Sequence, residues 1–478
     1  MKLTARDICT ATGGALVQGR DDAVFTTVTI DSRTATPGAL FVPLPGTRAD
    51  GHEYLSAALQ QGATGFLFAE RMSPTLPERA AAIRVRDPLT ALQDLAAWYQ
   101  SRLQARVIGI AGSNGKTTTK ELLAQVCAVK KNTWATPGNL NNHVGLPLTL
   151  LRAAEDVEVL VLELGTSGPG ELTTLCRIAQ PQIGVITTIA EEHTETLKDL
   201  AGVIAAETEL IAALPPDGVA IVNGDHDGLF QAVHRQARCR IVTFGERATN
   251  QFQVSDVQVS RQGTRFILHT PSGTRSLQLR LLGSHFALAS VAAVAVAAEC
   301  GLALDEACAA LEVAKGAPRR MAVVEVPGRQ LTVLDDCYNA NPASVAQALL
   351  TATQVRAAGE RLILVLGDML ELGVLSPGRH REIGKAVVAL PSRPDIVVTV
   401  GEEARLISAE IEQTMIPVYA FVTVESAAAF VQETIKDFTG PQLLLVKGSR
   451  GVHLEEVTRR VTEGERQKSA PFPLQERK

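Results

Sequence analysis

Apolar and polar positions divide the chain into three stretches of different rhythm. Over residues 1 to about 104, short β-like runs (Phe25–Ile30, Leu40–Pro43, Gly65–Phe68) alternate with stretches of helical spacing (Tyr54–Gln61, Thr90–Leu103), which predicts a small α/β unit. From Arg106 the apolar runs strengthen and lose their alternation: Val107–Ala111, Val157–Leu164, Ile183–Ile189, Val219–Asn223 and Ile241–Phe244. Strands buried on both faces read this way, so these runs predict a mainly parallel sheet covered by helices. Between Phe252 and Leu282 the period changes to two (Phe266, Leu268; Leu277, Leu279, Leu281) around Pro271-Ser272-Gly273, which predicts an antiparallel hairpin at the sheet edge. The Ala-rich run Phe286–Ala298 falls well short of the roughly 20 residues a bilayer requires and reads as a buried helix. A breaker-rich basic segment, Lys315–Arg320, marks the next boundary. Beyond it Leu331–Leu334, Leu362–Leu366, Ile396–Val400 and Leu443–Val446 alternate with helical stretches in a second doubly wound pattern that lacks GxGxxG. The polar tail from Glu463 reads as a frayed end.

Composition narrows the class. Hydrophobic residues at 46% and charged residues at 20% exclude a disordered or fibrous chain. With 46 basic against 51 acidic residues the net charge is −5, without the basic excess of a protein bound mainly to phosphate backbones, so no nucleic-acid partner is expected. The opening MKLTARDICTATGG has no apolar core behind its charges, so the expectation is a cytoplasmic protein without membrane insertion, and a monomer. Seven scattered cysteines, never spaced CxxC, predict reduced and mostly buried thiols rather than a disulfide framework or a zinc site.

The sharpest chemical signal is Val107-Ile-Gly-Ile-Ala-Gly112-Ser113-Asn114-Gly115-Lys116-Thr117-Thr118: a buried strand, a glycine-rich turn and a helix start. Backbone N–H groups of such a turn, with the positive end of the helix dipole, cradle phosphates; Lys116 reaches the outer phosphates of ATP, and Thr117 offers its hydroxyl to Mg²⁺. Position 110 is Ile where the commoner GxxxxGK[ST] loop has glycine, leaving the shorter GxxGKTT. Glu163 ends one predicted strand and His193 follows another. At the carboxyl ends of adjacent parallel strands both can face the phosphates, and a carboxylate and an imidazole are reasonable Mg²⁺ ligands or outer partners.

The short loop, followed by Asn139-Leu-Asn141-Asn-His-Val-Gly-Leu-Pro147, resembles the Mur ligase family of ATP-dependent amide-forming enzymes. The resemblance implies three α/β domains: a UDP-substrate-binding domain over 1–104, a central P-loop ATPase domain with a mainly parallel sheet over 105–317, and a C-terminal Rossmann-like ligase domain over 318–478. It implies metal-site roles for Glu163 and His193, alongside Thr117. Leu334-Asp-Asp336-Cys-Tyr-Asn339-Ala-Asn-Pro342, Leu366-Gly-Asp-Met-Leu-Glu-Leu-Gly373 and Leu445-Val-Lys447-Gly-Ser-Arg450 resemble the branch that joins D-alanyl-D-alanine to UDP-N-acetylmuramoyl-tripeptide. Asp31-Ser32-Arg33 and Asp50-Gly-His52 look like the family's UDP-binding segments. By resemblance, Asp336 and Asn339 border the ATP ribose, Arg320 meets the nucleotide phosphates, Lys447 and Arg450 lie near the acceptor, and Ser32, Arg33 and Asn141 serve substrate binding. The implied reaction passes through an acyl phosphate and is the last cytoplasmic peptide-adding step of peptidoglycan precursor synthesis. Rival readings are another amide ligase of the family, such as the third-residue-adding enzyme or a folylpolyglutamate synthase, and a nucleotide-hydrolysing switch outside it.

Two departures stand out. Gly283-Ser-His-Phe286-Ala-Leu-Ala289 carries Phe286 and Ala289 where relatives show asparagines, the last of which meets adenine. Ala205-Ala-Glu207-Thr-Glu209 carries Glu207 where many relatives have a carbamylated lysine. Glutamate offers the same charge and ligand type on a shorter stem, so Glu207 is expected at the metal. The alternative is a solvated Glu207 with Glu209 as ligand.

Overall fold

The five parallel runs of the middle stretch fold into neighbouring strands. In the computed structural model, which describes residues 1–46, 49–72 and 80–463, Arg240–Gly245, Val219–Asn223, Ile183–Ile186, Arg106–Ala111 and Val159–Glu163 lie side by side in that order. Every residue of Val159–Glu163, Ile183–Ile186 and Val219–Asn223 is buried, as continuous apolar runs require of strands covered on both faces. Thr133–Ala135 closes one edge. At the other edge the expected hairpin is instead a three-stranded extension: Phe252–Ser260 runs parallel to Arg240–Gly245, and Gly263–Thr270 and Gly273–Leu279 follow it outward, making nine strands in all. Phe252 and Val254 fill the inner face of the added strand, which makes it a full member of the sheet. The Ala-rich run becomes the buried helix Ser284–Glu299.

The chain forms two compact units. One comprises residues 1–257, 265–280 and 285–315, the other 258–264, 281–284 and 316–478. Within the first, a five-stranded sheet (Ala15–Gln18, Ala81–Val85, Gly65–Ala69, Ala39–Phe41, Thr27–Thr29) is parallel except for its first pair. The run expected over Phe25–Ile30 divides into Val24–Phe25, paired with Leu3–Thr4, and Thr27–Thr29. The helix Pro88–Arg102 starts with Asp87 accepting from the Thr90 N–H at 2.8 Å and with proline in its first turn, where a missing N–H costs nothing. It buries Leu92, Leu95, Ala96 and Tyr99, and the Tyr99 hydroxyl donates to the Ala153 carbonyl at 2.8 Å. One apolar cluster therefore runs from Leu3 and Ile8 through this helix to Val107, Leu146 and Leu160. The expected boundary at 104 lies inside a single compact unit.

In the second unit six strands run in the order Ala322–Val326, Leu331–Asp335, Gln442–Lys447, Arg361–Gly367, Ile396–Val400, Val418–Phe421, parallel except for the first pair. The two edge strands escape the apolar pattern because they are only half covered. All seven cysteines are free thiols, and no helix of the described residues is long and apolar enough to cross a membrane. The tail expected to fray lies outside the described residues from 464 onward.

Candidate active site

The strand Arg106–Ala111 lies between Val159–Glu163 and Ile183–Ile186, with Glu163 registered opposite Ile110 and Ile186 opposite Ala111. The segments leaving all three strands thus meet at one point of the sheet edge, where open α/β sheets bind ligands. Gly112 takes φ +119°, and a Cβ there would come 2.3 Å from the Thr187 hydroxyl, so the turn tolerates only glycine. Gly115, at φ +84°, leads into the helix Lys116–Cys127. The loop is stapled to the segment after Ile186: Ser113 N–H donates to the Thr188 carbonyl at 2.7 Å, Ser113 Oγ to the Ala190 carbonyl at 3.0 Å, and Thr187 Oγ1 to the Asn114 carbonyl at 2.6 Å. Thr117 and Thr118 are buried in the first helical turn.

Around this cradle the charges do not balance. Lys116 Nζ donates to the Gly112 carbonyl and, at 3.3 Å, to the Ser113 carbonyl, and it stands 3.5 Å from Glu192. Burial pushes the Glu192 carboxyl up, with Lys116 and His193 opposing. Glu207, only 1% exposed, accepts from the Gly112 N–H at 2.6 Å. Burial lifts its carboxyl to about 7, Lys116 pulling it down and Glu192 pushing it further up. Lys120, fully buried one turn after Lys116, donates to the Thr136 and Gly138 carbonyls at 2.8 and 3.1 Å and lies 3.9 Å from Glu163. Glu163 Oε1 accepts from Asn141 Nδ2 at 2.9 Å, whereas Glu163 Oε2 is buried without a hydrogen-bond partner. Buried carboxylates at 163, 192 and 207 thus face two buried lysines, a surplus that a bound cation would offset.

The candidate metal residues are partly gathered. Glu207 is buried beneath the loop, so the solvated reading of this residue is excluded. Glu209 points elsewhere: it accepts from the Gly170 and Thr173 N–H groups at 2.7 and 2.9 Å and caps the helix Glu171–Ala179. His193 adopts φ +50° ahead of the short helix Thr194–Leu197. Among the described residues no three His, Cys, Asp or Glu side chains converge closely enough to hold a metal ion alone, so Glu163, His193 and Glu207 are not a preassembled trio. Sequence reasoning passed over Glu192 and Lys120. Glu192 neighbours a residue it did select, and Lys120 follows Lys116 by one helical turn, the spacing that puts both on one helix face.

The C-terminal rim is organised by pairing. Lys447, 3% exposed at the end of its strand, meets Asp336 Oδ2 at 2.8 Å and donates to the Asn339 carbonyl at 2.9 Å. Asp336 Oδ1 accepts from the Met321 N–H at 3.1 Å. Asn341 and Ser344 form a reciprocal cap that opens the helix Pro342–Val355. Asp368 accepts from the Ala404 N–H at 2.6 Å. Arg320 stacks on Tyr338 at 4.2 Å and Arg450 faces the same ring at 5.6 Å. Lys447 is therefore grouped with Asp336 and Asn339, and Arg450 with Arg320. Tyr338, which joins those two arginines, was in the motif but had been given no role.

In the N-terminal sheet, Asp31 accepts from the Arg33 backbone N–H and pairs with its guanidinium at 2.6 Å, holding the Asp31-Ser32-Arg33 turn. His52 is buried; its Nδ1 lies 2.6 Å from Asp50 Oδ1 and its Nε2 accepts from the Ala69 N–H at 3.0 Å, which assigns the proton to Nδ1. Phe286 and Ala289 are both core residues of the Ser284–Glu299 helix.

Comparison with known proteins places these features in a family. Residues 24–100 match the description "Mur ligase family, catalytic domain", residues 110–297 "Mur ligase middle domain" and residues 319–450 "Mur ligase, glutamate ligase domain". The chain is 36% identical over 468 residues to the UDP-N-acetylmuramoyl-tripeptide–D-alanyl-D-alanine ligase of Bacillus subtilis (strain 168), covering 97% of this chain and 99% of that one. Among solved structures, MurF from Acinetobacter baumannii superposes with a TM-score of 0.88 at 30% identity, over 97% of this chain and 99% of that one. MurF ligase from Thermotoga maritima in complex with ADP gives 0.80 at 26% identity, over 91% and 97%. A phosphate cradle at the centre of a parallel sheet, the paired rim beyond it and likeness along nearly the whole length all lead to one assignment: the chain belongs to the Mur ligase family.

Proposed function

We propose that this protein uses ATP to join D-alanyl-D-alanine to UDP-N-acetylmuramoyl-tripeptide, the last cytoplasmic peptide-adding step of peptidoglycan precursor synthesis. The observation that carries the substrates is the end-to-end likeness to a ligase named for this reaction, 97% of one chain on 99% of the other. The Gly112–Thr118 cradle supports the nucleotide half of the reading. The terminal carboxylate of the tripeptide attacks the outer phosphate of ATP, and the amine of the dipeptide then displaces phosphate from the acyl phosphate. Lys116 sits where charge builds on the transferring oxygens, held meanwhile by the Gly112 and Ser113 carbonyls and by Glu192.

The surplus of buried carboxylates and the unpaired Glu163 Oε2 suit a hard divalent cation. Glu163, Thr117, His193 and Glu207 would hold Mg²⁺, with water and phosphate oxygens as the remaining ligands. Its contribution when bound is neutralisation of phosphate charge. Lys120 anchors the carbonyls of Thr136 and Gly138 and keeps the Asn141 loop against Glu163. Asp336, Asn339, Arg320, Lys447 and Arg450 form the proposed C-terminal half of the nucleotide and acceptor sites, and Ser32 and Arg33 the uridine end. Domain limits near 104 and 317, a monomeric state and cytoplasmic residence complete the proposal.

The test is phosphate release from ATP with UDP-N-acetylmuramoyl-tripeptides ending in meso-diaminopimelate or in lysine. Release should require both a tripeptide and D-alanyl-D-alanine. Release that ignores the dipeptide, or that demands glutamate or a folate instead, would overturn the assignment.

A further inference from the structure

The last turn of the phosphate-loop helix, Lys116–Cys127, is fastened to its surroundings at several points. The Gln125 side chain exchanges hydrogen bonds with the Lys315 backbone, 2.9 Å in each direction, and Lys130 pairs with Glu306 at 2.5 Å. Lys131, whose N–H donates to the Cys127 carbonyl at 3.0 Å, lines an open cavity of about 430 Å³ together with Arg106, Gln182, Glu299 and Cys300. Cys127 is buried at the end of its helix, Cys300 is half-buried just past Ser284–Glu299, and the two thiols are hydrogen-bonded to each other.

The two sulfurs differ in character. The bond from Cys127 lowers the Cys300 thiol, and Arg106 and Lys131 add to that against the cost of burial. The same bond, with burial, pushes the Cys127 thiol up. Cys300 is thus the thiolate lining the cavity and Cys127 the protonated thiol behind it. The other half-buried cysteines, Cys9 and Cys239, are both raised by burial and lie outside this pair. A reachable thiolate beside cations, with a second thiol in contact, is the arrangement of redox-sensitive cysteines.

We propose that Cys127 and Cys300 are a redox-modification site at which a peroxide closes a disulfide across the far end of the phosphate-loop helix. The Cys300 thiolate attacks the O–O bond of hydrogen peroxide and becomes a sulfenic acid as the departing hydroxide takes up a proton to give water. The Cys127 sulfur then attacks the sulfenic sulfur, its proton leaving with the expelled oxygen as a second water. Two thiols and one peroxide thereby yield one disulfide and two waters. The new bond joins the helix whose first turn carries Lys116 to the end of its neighbour, so nucleotide binding is the property it perturbs.

The experiment treats the full-length protein with near-stoichiometric hydrogen peroxide and follows it by non-reducing peptide mapping and by binding of a non-hydrolysable ATP analogue. Expected results are a loss of two hydrogens in mass, a Cys127–Cys300 cross-linked peptide formed before Cys9 or Cys239 reacts, and analogue affinity lowered about fivefold or more. Dithiothreitol should restore it. Cys300→Ser and Cys127→Ala, each confirmed folded by circular dichroism, should bind the analogue like the parent and lose the peroxide response. Oxidation first at Cys9 or Cys239, absence of the cross-linked peptide, or a cross-link that leaves affinity unchanged would each overturn the proposal. None of these readouts depends on which peptide substrates the protein joins.

Discussion

The phosphate loop and the rim of the C-terminal sheet are built from the same kinds of side chain at the same kind of place, the carboxyl ends of parallel strands. At the rim each charge is matched: Lys447 is saturated by Asp336 Oδ2 and the Asn339 carbonyl, and Asp336 by Lys447 and the Met321 N–H. At the phosphate loop the carboxylates of Glu163, Glu192 and Glu207 exceed the lysines, and a carboxylate oxygen of Glu163 has no hydrogen-bond partner. A matched pair fixes loop geometry with or without ligand. An unmatched set is tolerated in the empty protein by holding protons, which is the direction in which burial moves Glu192 and Glu207, and is completed when cation and phosphate arrive.

The difference can be broken from either side. Lys116→Ala should lower the ligation rate by about 10²-fold or more while thermal unfolding stays within a degree or two of the parent, because the residue acts on transferring charge. Retention of more than about a tenth of the parent rate would remove Lys116 from that role. Lys447→Met should act mainly on stability. It leaves Asp336 nearly buried without its partner, a loss of roughly 3–5 kcal/mol, and Asp336→Asn in the same chain should recover much of it. Urea unfolding measures both variants, and an Asp336→Asn change that deepened the loss would show that the pair is not the rim's support.

Smaller effects sharpen the contrast. Glu207→Gln keeps an acceptor for the Gly112 N–H but removes the charge, so half-saturating Mg²⁺ should rise on the order of tenfold, about 1.4 kcal/mol, and activity should not respond to bicarbonate. Unchanged Mg²⁺ dependence would confine Glu207 to holding the loop. The same residue sets a pH dependence. Its carboxyl titrates at about 7 in the folded protein against 4.5 for an ordinary glutamate, so the folded state binds the proton more tightly. The stabilisation is fully present below pH 4.5 and is lost as pH rises through 7, and Glu207→Gln should flatten that decline in urea titrations of the metal-free, nucleotide-free protein. The smallest effect concerns the base. With Phe286 and Ala289 buried in place of polar side chains, ATP should be preferred over GTP by less than about tenfold, measured as kcat/KM. A strong preference would locate base recognition at another residue.

Much of this was readable from the chain because burial on both faces leaves an uninterrupted apolar run. The strands Val219–Asn223 and Ile396–Val400 have the limits the pattern predicts. The phosphate loop was legible for a different reason: its glycines and lysine answer to backbone geometry and charge at fixed spacing. Edge strands such as Ala322–Val326 were missed because a half-covered strand bears Glu325 and resembles a loop. Glu192 was missed because a glutamate in Ala190-Glu-Glu192-His193 looks like solvent-facing charge until burial is known. Lys120 was hidden likewise, since only the folded chain reveals the carbonyls that surround its ammonium. The hairpin reading of Phe252–Leu282 failed because alternation reports one covered face and carries nothing about strand direction.

The helix Pro88–Arg102 bears on how the protein comes apart. Its apolar face is shared between the five-stranded and nine-stranded sheets, so heat cannot melt one of them while the other keeps its core intact. Three family segments should therefore register as two cooperative transitions in a calorimeter, with residues 1–257 and their companions leaving together. A chain severed near 104 would expose Leu92, Leu95 and Tyr99 on one fragment and Leu146 and Leu150 on the other, and each piece would aggregate before it could serve as an independent module.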